Sequence, residues 1–95
     1  MAEFLLELYM SRTDGAAVAR SAESARLAAE ELTRAGTPVR YLRSIFVPED
    51  ETCFFLYEAT SAKDVAAAAH RAGLRFERIA EAVASPMPLG GENVT

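Results

Sequence analysis

The stretch VRYLRSIFVPEDETCFFLYEA, residues 39–59, decides the fold. Its two ends, Val39 to Val47 and Thr52 to Ala59, are rich in β-branched and aromatic residues, and the polar break Pro48-Glu49-Asp50-Glu51 separates them. They are expected to pair as an antiparallel hairpin. The break has no glycine, so the expected connection is a loop of about three to five residues around a type I turn, not a tight two-residue turn.

Towards the amino terminus, Ala2 to Met10 alternates with period two: Phe4, Leu6 and Leu8 on one side, Leu5, Glu7 and Tyr9 on the other. This reads as a first strand. Ser11, Thr13, Asp14 and Gly15 form a polar break that supplies an N-cap, and from Ala16 the period becomes helical. Val18, Ala22, Ala25, Ala29 and Leu32 make the buried stripe, and Gly36 stops the helix as its C′ residue. Arg26, Glu30 and Arg34 on the opposite face read as a solvated ion-pair ladder, worth only tenths of a kcal/mol per pair.

Towards the carboxyl terminus, Ser61 and Asp64 open a second helix in the manner of a capping box. Val65, Ala68, Ala69 and Ala72 form its stripe and Gly73 ends it. Arg75 to Val83 alternates again and reads as a final strand. The element order is that of an α+β ferredoxin-like βαββαβ sandwich, an antiparallel sheet with two helices on one face. The domain is expected to occupy residues 1–84. From Ser85 the composition falls to Pro86, Pro88, Gly90, Gly91 and polar residues, so 85–95 are expected to be a disordered tail.

A chain of 95 residues allows one core, and with 19 alanines that core holds few large side chains, which favours a homodimer. The formal net charge of −4 repels a phosphate backbone, so no nucleic acid is expected as a partner. The single cysteine, Cys53, forms no intrachain disulfide. Glu3 and Glu7 interrupt the only apolar residues near Met1, and no run approaches the length that crosses a bilayer. A cytoplasmic protein without membrane partners is the expectation.

Both helices of such a sandwich cover the same sheet face, so the other face shows what the protein meets. If Phe4, Leu6, Leu8, Leu42, Phe46, Phe54 and Leu56 point to the helices, the open face collects Leu5, Glu7, Tyr9, Tyr41, Arg43, Ile45, Phe55 and Tyr57. An apolar and aromatic patch of that kind marks an interaction surface. Glu7, Tyr9, Tyr41, Arg43 and Tyr57 are therefore the candidate dimer or ligand face, with Glu7 expected to pair with Arg43. RNA-recognition modules share the topology, but the segment Thr52 to Glu58 lacks their glycines and basic residue.

No catalytic constellation is legible: Ser44 has no histidine near it, and there is no glycine-rich phosphate loop. His70 lies off the apolar stripe of the second helix, Cys53 has no CxxC partner, and the acidic turn at Glu49 and Asp50 is a loose candidate for a hard cation. A carboxylate such as Glu7 among apolar neighbours would suit a dimeric α+β barrel protein that binds a small molecule, or an isomerase- or monooxygenase-like enzyme using the open face.

The segment SIFVPEDETCFFLYEA, with the opening EFLLELYMSR and the closing AHRAGLRFERIAEAV, resembles a family of small bacterial proteins of unassigned function, some of them described as nickel-binding. The resemblance spans about residues 2 to 84. It rests on Glu7, Ser44, Pro48, Glu49, Asp50, Cys53, Glu58, His70 and Gly73. It implies a ferredoxin-like dimer that binds a divalent metal, Ni2+, for sequestration, without saying which positions ligate; on their donor chemistry His70, Glu49 and Asp50 are the candidate ligands. Arg75 departs from the family pattern, which tends to have proline there. A nickel site of nitrogen and oxygen donors prefers imidazole, and His70 is the only one in the sequence.

Overall fold

A computed structural model of the chain describes residues 1–83. The strands are β1 (Ala2–Tyr9), β2 (Val39–Val47), β3 (Thr52–Ala59) and β4 (Arg78–Ala82), and the helices are α1 (Gly15–Arg34) and α2 (Ala62–Arg71). The strands form one antiparallel sheet in the order β2-β3-β1-β4, with α1 after β1 and α2 after β3, which is the ferredoxin-like α+β arrangement. The expected tail, 85–95, lies outside the described residues.

Local chemistry sets the boundaries. The Asp14 carboxylate accepts a hydrogen bond from the Ala17 amide at 3.2 Å and caps α1, and the Ser61 hydroxyl accepts one from the Asp64 amide at 3.3 Å and caps α2. Both helices end in the same way. The Gly36 and Gly73 amides donate to Thr33 and His70 carbonyls, and the next amides, of Thr37 and Leu74, reach back to Leu32 and Ala69 at 2.9 Å. This double closure needs a left-handed residue, and Gly36 and Gly73 have φ of +107° and +74°. The hairpin link is a short 3-10 turn, Pro48–Asp50, closed by Glu51 at φ +49°. That fits the expected glycine-free loop, with a glutamate taking the left-handed position.

The core lies between the sheet and the helices. Phe4, Leu6, Leu8 and Met10 from β1 and its end meet Ala25 and Ala29 of α1 and Val65, Ala68 and Ala69 of α2. The alanines let both helices approach closely, so the bulk is supplied by the strands. The final strand starts later than its alternation suggests: residues 74–77 form an irregular approach that packs Leu74 and Phe76 on the core, and pairing begins at Arg78.

The structure corrects the assignment of β3. Residues directly opposite in an antiparallel pair share a face, and the register sets Phe4 against Tyr57, Leu6 against Phe55 and Leu8 against Cys53. Phe55, Tyr57 and Cys53, each fully buried, therefore point to the helices. Phe54 and Leu56, expected inside, belong to the open face. Tyr41 is corrected in the same direction: it stands opposite Tyr57 and packs on the core, and a β-bulge between Tyr41 and Arg43 then returns Arg43 and Ile45 to the open side.

Candidate functional site

The described residues place a cleft of ≈ 320 Å³ where β1 ends, the hairpin turns and the chain enters β4; Glu7, Tyr9, Asp50, Glu51, Thr52 and Glu77 line it, with Leu8 as its apolar member. Its geometry comes from the backbone. Glu7 and Tyr9 are two apart on β1 and share a face, and Thr52 pairs with Tyr9 across the strands. The Met10 amide donates to the Glu51 carbonyl at 3.0 Å, tying the hairpin turn to the end of β1. On the other flank the Glu77 amide donates to the Glu7 carbonyl at 2.7 Å, which brings a second acidic side chain beside Glu7.

The Glu51 carboxylate is fixed from two sides. Its Oε2 accepts hydrogen bonds from the Arg12 amide at 3.0 Å and from the Tyr9 hydroxyl at 3.5 Å, with the Arg12 guanidinium 4.0 Å away. Glu7 faces Arg78 at 3.7 Å. Four carboxylates against two arginines leave the cleft an excess of negative charge and a set of hard oxygen donors, which attract cations and repel anionic substrates.

The structure disperses the other candidates. Glu7 does stand on the open face, but its partner is Arg78 on the adjacent β4, because β3 lies between β1 and Arg43. Arg43 is exposed opposite Leu56, and Tyr9 is 61% exposed at the rim of the cleft. Tyr41 and Tyr57 lie on the helix side, so they are not part of the open face. Burial raises both phenols above their ordinary pKa. Asp50 lines the acidic cleft, whereas Glu49 stands exposed on the same turn without lining it.

His70 is exposed near the end of α2, its ring edge-on to Phe76 with centroids 5.6 Å apart. Cys53 is fully buried in β3, out of reach of solvent and of ions in it, and desolvation pushes its thiol pKa up. Among the described residues no three His, Cys, Asp or Glu side chains converge closely enough to hold a metal ion. Reading the sequence missed Glu51 and Glu77 as cleft residues. Glu51 was visible as part of an acidic run, but Glu77 carries no local signal, since the contact between its amide and Glu7 spans most of the chain.

A family model described as nickel responsive protein SCO4226-like matches residues 9–82. The crystal structure of SCO4226 from Streptomyces coelicolor A3(2) is similar to this fold with a TM-score of 0.71 and 26% sequence identity, covering 90% of this chain and 100% of that chain. No curated protein matches the sequence. Among the described residues no helix is long and apolar enough to cross a membrane.

Proposed function

Because the chain belongs to the nickel responsive SCO4226-like family, we propose that it is a non-enzymatic, homodimeric protein that takes up hydrated divalent cations, nickel among them, at its acidic cleft. The observation that carries this reading is that Glu7, Asp50, Glu51 and Glu77 line one cleft, although no three of them converge. Such a cleft does not fit a fully protein-coordinated nickel ion. Nickel in a site of nitrogen and oxygen donors favours imidazole, and His70 does not line the cleft. The carboxylates suit an ion that keeps most of its water, held by charge and by hydrogen bonds through that water. Sequestration of excess metal is the role such open, reversible binding serves.

The dimer rests on the open sheet face. Leu5, Ile45 and Phe54 make it apolar around the already buried Leu56, and Ile45 is 46% exposed with no helix over it. Pairing two such faces would remove a few hundred Å² of apolar surface from water, at roughly 25 cal/mol per Å².

Calorimetric titration of tag-free protein with nickel tests the cation site. A saturable heat that survives His70→Ala and is lost in the double variant Glu51→Gln/Glu77→Gln is the expected result. Loss of heat in His70→Ala alone would move the ion to α2 and overturn the cleft assignment, and no heat at tens of micromolar nickel would overturn metal binding altogether.

A further inference from the structure

A second cleft, ≈ 310 Å³, opens on the other side of the molecule between the carboxyl-terminal half of α1 and the start of β2. Its floor is apolar and firmly buried: Ala29 and Val39 are 2% and 3% exposed. One wall is the Tyr41 ring, held edge-on against Phe55 at 5.5 Å and Tyr57 at 5.8 Å. The two sides are tied together by Thr33, whose hydroxyl donates to the Val39 carbonyl at 2.8 Å and accepts from the Val39 amide at 3.1 Å. The cavity is thus preformed.

The rim carries three arginines and one glutamate. Arg26 is occupied, with hydrogen bonds to Glu23 at 2.6 and 3.2 Å and to Glu30 at 2.7 Å. Arg34 has no acidic side chain within 4 Å among the described residues, and Arg40 makes a single 3.4 Å contact with Glu58 while its side chain stays 71% exposed. A protein of net charge −4 therefore gathers two guanidiniums with little internal compensation over an apolar pocket. The planar guanidinium fork matches a carboxylate or sulfonate in two hydrogen bonds, and the volume lies at the lower end of the range for small-ligand sites.

We propose that this cleft binds a small organic anion, with an apolar ring system lying on Ala29, Val39 and Tyr41 and its acid group meeting Arg34 and Arg40. The site is independent of the acidic cleft and opposite to it in sign, so the chain offers a cation site and an anion site at separate places. A cationic ligand is repelled by the rim, and a neutral apolar one gains nothing from the arginines.

The test uses the aromatic anion 8-anilinonaphthalene-1-sulfonate and its neutral analogue N-phenyl-1-naphthylamine as fluorescent probes of the full chain. The sulfonate is expected to bind saturably, about tenfold or more weakly in Arg34→Glu and in Arg40→Ser, and unchanged in Arg75→Glu, an exposed arginine outside the cleft that makes the same charge change as Arg34→Glu. The neutral probe is expected to bind weakly and without regard to Arg34. Amide shifts on adding the sulfonate should concentrate at Thr33, Val39 and Tyr41. Equal weakening in Arg34→Glu and Arg75→Glu, no weakening in Arg34→Glu, or shifts centred on Phe54 and Leu56 of the open face would each overturn the proposal.

Discussion

The ring of Tyr41 stands edge-on to the ring of Tyr57 at 5.8 Å and 77°, both on the helix side of the sheet, directly opposite one another in the β2–β3 register. The pair places a phenol hydroxyl, Tyr57 Oη, in the core with no hydrogen-bond partner among the described residues. An unmatched buried hydroxyl costs free energy that a phenylalanine would not.

Tyr57→Phe should therefore be neutral or stabilising by about 1 kcal/mol at pH 7, measured by urea unfolding. Destabilisation beyond about 1 kcal/mol would mean that the hydroxyl is satisfied.

The same burial sets a pH dependence. Desolvation raises the Tyr57 pKa in the folded state, so below about pH 10 the phenol is neutral in both states and contributes no slope. Above that value only the unfolded chain loses the proton, and stability falls by up to about 1.4 kcal/mol per pH unit for this group. Urea midpoints between pH 9 and 11 should decline, and Tyr57→Phe should decline less steeply. Identical slopes would show that Tyr57 ionises equally in both states.

Cys53 is fully buried with its thiol pKa raised by desolvation. Its labelling by a disulfide reagent at pH 8 should be slow in the native protein and rise steeply with urea, because only opening of β3 exposes the thiolate. Rapid labelling of native protein would place the thiol at the surface.

Ile45→Glu puts a carboxylate on the open face, at its β2 edge, without touching the core. Light scattering should give a dimer mass for the wild type and a monomer mass for the variant, with the thermal transition of the monomer intact. A monomer mass for the wild type at micromolar concentration would remove the dimer from the proposed function.

Glu7→Gln breaks a half-exposed ion pair with Arg78 at 3.7 Å, so the loss of stability should stay below about 1 kcal/mol. Nickel affinity should fall, since the variant takes one charge from the cleft and frees Arg78 to oppose a cation. An unchanged titration would exclude Glu7 from the site.

The order of elements was legible in the sequence because each boundary is written in local chemistry. Asp14 and Ser61 cap helices through their own side chains, Gly36 and Gly73 take a left-handed conformation that other residues resist, and the polar turn at residues 48–51 leaves two β-rich runs only a hairpin to form. Fold class follows from that order. Half of the acidic cleft was legible too, since Glu7 and Asp50 stand out in sequence as a carboxylate among apolar residues and as part of an acidic run.

The alternation of β1 put Phe4, Leu6 and Leu8 inside correctly, but which face β3 and the start of β2 present was decided only by the tertiary structure. Phe54, Phe55, Leu56 and Tyr57 are large and apolar at every position, so alternation carries no parity, and only the register of Phe55 against Leu6 settles which pair is buried. In β2 the bulge after Tyr41 inserts one residue, which is enough to put Tyr41 inside and Arg43 outside although they are two apart. Both clefts depend on the same kind of long-range placement. Glu77 reaches Glu7 through a backbone hydrogen bond between β1 and the approach to β4, and Arg34 meets Arg40 through the docking of α1 on β2. The sequence determined what each segment becomes, because caps, turns and periodicity act within a few residues. The fold alone determined which side chains meet, because a sheet register and a helix docking are set by packing across the whole chain.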